Sequence, residues 1–449
     1  MIKTAQTKDS ISSLIYKGLT DSSFYFISDI LSRVISFFVI PIIARMVSVK
    51  EFGIYDMFIL VSNILVMLST LGIDSGSAIL IAENINNKKI LSAIITFQMI
   101  LNIIALVIFG GLSYLTFSLG INKFFSLFQL NCLFLYSLFY LIIYNTFNFL
   151  RWTGKAKQAS FVNFLSISSS IGIAFIIFYL NPSKKIDVFL SGLTAGLFVG
   201  AILSLLLLKD YLFVFRFAKI QLIKNDLLKL SIPYVPVYIS NRLMRITDRL
   251  IVISFLGSNI LGYYSLASKI SAIPQQILFT ISKALRPIMF HNYHTESGKK
   301  MIKKTFEWYI YLAPIVIIGA IIFAKPITLL FGGNKYSNSI SLVPILVSST
   351  FYFSSLYFDG FGYSIKRKTY IIPIITGIAI IINVTLSILL LKKFNIVGVA
   401  LGTFFSSIFF SFIYAFCAEK LYPFQYNFKK LSISYVFTMI IIVALILKH

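Results

Sequence analysis

The sequence predicts an all-α polytopic membrane protein, and three observations carry that prediction. Hydrophobic residues make up 58% of the 449 positions and charged residues only 12%, a balance outside the range of soluble domains. Apolar runs long enough to cross a bilayer recur from one end of the chain to the other. Lys and Arg gather between those runs with a strong alternation: 24 fall in every second connection counted from the N-terminus and 10 in the others. A formal charge of +25 would suggest nucleic acid for a soluble chain. Here the alternation assigns it to the positive-inside rule, so no nucleic-acid partner is expected and the N-terminus is placed in the cytoplasm.

The spans are expected near residues 22–46, 52–82, 90–117, 124–150, 160–180, 187–208, 231–256, 260–290, 306–330, 340–364, 370–391 and 396–419, with a shorter thirteenth at 431–447. The polar start, MIKTAQTKDS, and the length of the first apolar run do not fit a cleaved leader. The even-numbered connections are short, which leaves no extracytoplasmic domain for a large catalytic site. The longest inner connection, Lys209 to Leu230, mixes basic, aromatic and aliphatic residues and reads as an amphipathic segment at the inner membrane face. It divides the chain into a cytoplasmic segment 1–21, a six-helix bundle 22–208, a linker 209–230, a second six-helix bundle 231–419, and a C-terminal segment 420–449 with the extra helix.

The two bundles are related as a repeat. Gly53, Ile54 and Tyr55 match Gly262, Tyr263 and Tyr264 at an offset of 209, which also sets Arg33 on Arg242 and Asp74 on Lys283. LGIN at 119–122 matches FGGN at 331–334, and Lys155 and Lys157 match Lys366 and Lys368, at nearly the same offset. Both halves begin on the cytoplasmic side, so the repeat is parallel, and a central cavity between the halves is the expected place for a site.

Six cations fall inside spans: Arg33, Arg242, Arg245, Arg249, Lys269 and Lys283. At 100° per residue Tyr238, Arg242, Arg245 and Arg249 share a stripe roughly 60° wide. Each arginine at mid-bilayer costs roughly 2.5–3.5 kcal/mol, so the stripe should face water, a counter-charge or an anionic ligand. Asp248 offsets only one of the three. Asp29 lies one turn from Arg33 and either neutralises it or shares the cleft with it. Asp56, Asn63, Thr70 and Asp74 form one stripe on the second span, and Lys269, Gln276 and Lys283 form its counterpart, with Gly72 and Pro274 as points where the register can break. Lys283 and Asp74 also fit snorkelling at a membrane face. Tyr136, Tyr140, Tyr144 and Asn148 line one face of the fourth span and, with Tyr352 and Tyr357, suit either sugar contacts or packing. Cys132 and Cys417 both lie in apolar runs, which implies no disulfide framework. No Cys or His cluster has metal-ligand spacing, and no Walker A stretch is present.

PIIARMVSVKEFGIYDMF, the following LGIDSGSA, and LFGGNKYSNSISLVPIL at 330–346 resemble the signatures of the polysaccharide repeat-unit flippases. These are the O-antigen and capsule translocases of the multidrug/oligosaccharidyl-lipid/polysaccharide exporter superfamily. The thirteenth helix departs from the usual even count. The resemblance implies two six-helix bundles around a V-shaped cavity, and alternating access that carries an undecaprenyl-diphosphate-linked oligosaccharide across the bacterial inner membrane. Such a protein is a transporter and not an enzyme. Its partners would be the lipid-diphosphate-linked glycan, membrane lipids, a polysaccharide polymerase and a chain-length regulator. On this reading Arg33, Arg242, Arg245, Arg249, Lys269 and Lys283 meet the anionic substrate. Asp29, Asp74 or Asp248 would bind a proton or sodium, with no other cofactor. A peptidoglycan-precursor lipid flippase and a multidrug exporter of the same superfamily are the alternatives, the second disfavoured by six intramembrane cations. A glycosyltransferase or polymerase would need large outer loops, and a scaffold would not explain cations repeated in both halves.

Overall fold

The computed structural model describes residues 35, 37–120, 124–181, 183, 185–212, 217–231 and 235–447. Among these the chain is helical throughout, without strands. In order the helices are α1 (Phe37–Met46), α2 (Val49–Thr70), α3 (Ile73–Glu83), α4 (Lys88–Ser118), α5 (Leu127–Trp152), α6 (Ala156–Leu180), α7 (Ile186–Leu212), α8 (Phe217–Ser231), α9 (Val235–Asn292), α10 (Glu296–Gly332), α11 (Leu342–Phe353), α12 (Phe361–Ile365), α13 (Ile371–Leu421) and α14 (Phe428–Leu447). Nine helices among the described residues are long and apolar enough to cross a membrane. Two of them each supply two of the expected spans. α9 turns at Gly257, whose φ of 83° is open to glycine, and α13 turns at Asn395, φ 52°, a residue type that tolerates the left-handed region. The 20 residues of α14 give it a length of about 30 Å, enough for a bilayer core.

Two expected spans are broken. The second ends at Thr70, and the chain reverses its backbone sign at Leu71 (φ 48°) and Gly72 (φ 68°) before α3 begins. Asp74 therefore sits in the first turn of a new helix, where its charge complements the helix dipole, and not on the stripe of Asp56. The tenth gives α11, a 3₁₀ turn at Ser354–Tyr357 and the short α12. Side chains take up carbonyls around that break: Tyr309 Oη donates to Phe351 O at 2.7 Å, Ser282 Oγ to Tyr357 O at 3.0 Å and Arg286 Nη2 to Leu356 O at 3.1 Å. Pro274, in contrast, does not interrupt the second half of α9.

The chain forms two compact units, one built on Phe58–Tyr238 and the other on Pro41–Met57 together with Ile239–His449. In the first, α6 and α7 approach through small residues: Gly192 lies on Ala174, Gly196 on Ser170 and Gly200 on Ser166, the spacing that brings membrane helices closest. α8 carries Ile223 and Leu227 into a buried cluster with Ile73, Leu80, Ile81 and Leu91, while Lys224, Asn225 and Asp226 are exposed. The amphipathic linker is thus an integral part of this unit's core.

In the second unit the start of α2 crosses the second half of α9 at the glycines that the sequence repeat aligns. A Cβ on Gly53 would lie 2.8 Å from both Gly262 N and Ser258 O, and one on Gly262 would collide with Val49 O. Polar contacts fasten the same segment: Arg45 Nη2 donates to Leu330 O at 2.6 Å, at the C-terminal end of α10, and Lys335 Nζ donates to Arg45 O at 3.1 Å and to Val47 O. Backbone on both sides of the crossing leaves no side chain to yield. Gly262→Val is therefore expected to cost about 3 kcal/mol, the upper end of overpacking penalties, and to lower the thermal unfolding midpoint of the detergent-purified protein. An unchanged midpoint would remove this crossing from the account of the fold.

Candidate functional site: an ion triad and a buried carboxyl

Asp56 lies three residues after Gly53 and Lys269 seven after Gly262, so the glycine crossing sets them on facing helical turns. Asp56 is buried to 1% exposure, and its carboxylate receives two cations: Arg249 Nε at 2.7 Å on Oδ2 and Lys269 Nζ at 2.8 Å on Oδ1. Arg249 and Lys269 retain 13% and 25% side-chain exposure. The triad carries one net positive charge. In a low-dielectric segment such a charge is a standing attraction for an anion, while Asp56 keeps the two cations from repelling one another apart. Asp56, read from sequence as one member of a polar stripe, is therefore the counter-charge of the site. The signal that leads to it is the Gly53–Gly262 match.

Asp248, one residue before Arg249, points elsewhere. It is buried at 7% exposure, and its Oδ2 accepts a hydrogen bond from Tyr264 Oη at 3.0 Å. Tyr264 Oη lies 3.4 Å from Thr403 Oγ1, which in turn donates to Val399 O at 3.0 Å. Asn383, also acting on the Asp248 carboxyl, is fully buried and gives its Nδ2 to Ser406 Oγ at 3.3 Å. Asp248 Oδ1 and Asn383 Oδ1 are buried without hydrogen-bond partners. One carboxylate among neutral amide, hydroxyl and carbonyl oxygens is the donor set of a hard cation of low charge.

Among the remaining expected residues, Lys283 and Asp74 make other contacts. Lys283 is exposed, with Nζ 4.6 Å from the centre of the Phe279 ring. Asp74 Oδ2 accepts from Tyr144 Oη at 2.8 Å, and its Oδ1 is buried without a partner. Arg33 and Asp29 lie outside the described residues, as do the side chains of Arg242 and Arg245, whose backbone belongs to α9. Tyr136 packs against Phe58 and Tyr140, Tyr357 against Phe279, and Tyr352 Oη meets Ser434 and Thr438 on α14. Contacts within the fold thus engage four of the tyrosines that sequence alone left open to sugars. No group of three or more His, Cys, Asp or Glu suited to a metal occurs among the described residues.

The family model described as "Polysaccharide biosynthesis protein" matches residues 19–293. The chain belongs to that family. Among solved structures this polysaccharide biosynthesis protein is similar to "Lipid II flippase MurJ, inward closed conformation", with a TM-score of 0.64 and 20% identity over 94% of this chain and 92% of that one. It is also similar to an outward-facing multidrug resistance MATE family transporter of the MOP superfamily, with a TM-score of 0.55 and 14% identity over 89% of this chain and 94% of the other. At these identities the likeness shows the fold alone. No curated protein matches the chain.

Proposed function

We propose that the protein is a flippase that carries an undecaprenyl-diphosphate-linked oligosaccharide repeat unit across the bacterial cytoplasmic membrane by alternating access. The observation that carries this reading is the triad of Asp56, Arg249 and Lys269, two fixed cations on one buried carboxylate on the helix that also bears Arg242 and Arg245. A diphosphate is a compact anion with many acceptor oxygens, and guanidinium groups recognise it through charge-assisted hydrogen bonds. Arg33, Arg242 and Arg245 extend the basic path, Lys283 guides the headgroup at its end, the glycan takes the polar groups, and the lipid tail stays in the bilayer. Polysaccharide polymerase and chain-length regulator receive the product, for O-antigen or capsule. Asp248 supplies the ion coupling through sodium or a proton, with Asp74 and Asp29 as further carboxylates on the path. The bundles 22–208 and 231–419 act as the two moving bodies, with Pro41–Met57 travelling with the second.

In cells, Arg242→Ala or Arg245→Ala should abolish surface polysaccharide while the protein stays in the membrane. Normal polymer in both variants would refute the anion path. The topology that goes with this reading puts Lys366 on the cytoplasmic side. A cysteine introduced there should react only with reagents that enter the cell, and labelling from outside would reverse the orientation. The similarity to a lipid II flippase favours one second reading, a peptidoglycan-precursor flippase. Depleting the protein separates the two: loss of surface glycan with intact cells supports the repeat-unit substrate, and lysis supports the cell-wall precursor.

A further inference from the structure

The break between α11 and α12 holds a second carboxyl that the anion path and Asp248 do not use. Asp359 is fully buried. Its backbone N–H donates to Ser355 O at 3.0 Å, so the chain turns back over the 3₁₀ segment and sets the carboxyl beside the Ser355 side chain. Tyr426, in the segment between α13 and α14, lies within electrostatic reach of the Asp359 carboxyl. Both carboxylate oxygens of Asp359, Ser355 Oγ and Tyr426 Oη are buried, and none has a hydrogen-bond partner.

Among the described residues no cation pairs with Asp359 directly. Arg286 is exposed, donates to the Leu356 carbonyl, and reaches Asp359 only through its longer-range charge. Aromatic rings build the neighbourhood: Tyr426 packs on Phe306 at 4.5 Å, and Tyr309 stacks on Phe351 at 4.8 Å and on Phe358, the residue before Asp359, at 5.1 Å. A carboxylate among such rings costs several kcal/mol unless its charge is met. Interrupted membrane helices are also where transporters expose oxygens to ions.

We propose that Asp359, Ser355 and Tyr426 form a monovalent-cation site, separate from Asp248, at the break in the tenth membrane span. One carboxylate with neutral hydroxyl oxygens suits sodium or potassium. A divalent ion would call for more carboxylates than the described residues gather here. A cation seated there ties the segment preceding α14 to the α11–α12 break, bracing the extra C-terminal helix against the core of its unit. The inference is independent of the transported substrate.

The test is equilibrium binding of radioactive sodium, competed with potassium, to the full-length protein purified in detergent. Asp359→Asn is expected to bind one fewer sodium per chain than the wild type, whatever Asp248 contributes. The double variant with Asp248→Asn should show the two losses adding. Tyr426→Phe and Ser355→Ala keep the carboxyl and should weaken the same component roughly two- to tenfold, the range of one neutral oxygen contact. Equal sodium stoichiometry and affinity in wild type and Asp359→Asn overturns the proposal, and that is also the result if the carboxyl holds only a proton. If Asp359→Asn does not fold, unchanged sodium binding in both Tyr426→Phe and Ser355→Ala overturns it.

Discussion

Asp56→Asn is expected to destabilise the protein by about 3–5 kcal/mol, the cost of removing one partner from a buried ion pair. The variant leaves Arg249 and Lys269, now held 2.7 and 2.8 Å from a neutral group, facing each other without the charge that reconciles them. Asparagine preserves the volume, so packing around the start of α2 is not the cause. The measurement is thermal unfolding in detergent, followed by a second variant, Asp56→Asn with Lys269→Met, which removes one of the two uncompensated cations. Stability should recover by about 1–3 kcal/mol in that double variant, the size of coupling between contacting residues. Transport should not recover, because Lys269 belongs to the anion path. Recovery of both would reduce the triad to a structural brace.

Asp248→Asn is expected to leave the fold intact and abolish the cation dependence of transport. The amide oxygen still accepts from Tyr264 Oη, the 3.0 Å bond that holds the native carboxylate, so the second unit keeps its packing. What disappears is the single negative charge in an oxygen cluster otherwise made of Asn383, Thr403 and Tyr264. Cation affinity should fall on the order of 10- to 100-fold or more, given that losses of this size follow even outer-shell changes at metal sites. Transport measured in vesicles at varied sodium concentration and at varied pH identifies the ion. A variant with the same dependence on both as the wild type would exclude Asp248 from coupling.

Much of the fold is legible in the sequence because the bilayer enforces it. Every span must satisfy its own backbone polar groups, so apolar run length alone locates α4 to α7, α10 and both halves of α9 and α13. The breaks at Leu71–Gly72 and Ser354–Tyr357 are less legible. An apolar run continues through each, and only tertiary partners such as Tyr309, Ser282 and Arg286 make an interrupted helix tolerable. The depth of α8 in its unit is hidden for a similar reason: an amphipathic segment looks the same whether a membrane face or a protein core covers it.

The candidate site is half legible. Arg249, Lys269 and Asp248 stand out because charge inside an apolar run is costly. Their partners do not. Asp56 answers Arg249 across a sequence separation of 193 residues, and Asn383, Thr403 and Tyr264 are ordinary membrane-helix residues until the fold assembles them. The clue that sequence does hold is the pair Gly53 and Gly262, because a glycine match that proves to be a backbone crossing also fixes which charges lie one and two turns beyond it.

The most direct test of the anion path is translocation in proteoliposomes. The purified protein would be given a fluorescent lipid-diphosphate-linked oligosaccharide in one leaflet, and its arrival in the other would be timed. The wild type is expected to move it, and the Arg242→Ala, Arg245→Ala double variant to slow by on the order of 100-fold or more, since each charge-assisted contact contributes roughly 1.5–3 kcal/mol. Equal rates for wild type and double variant, or equal transport of a lipid-linked glycan that lacks the diphosphate, would contradict the account.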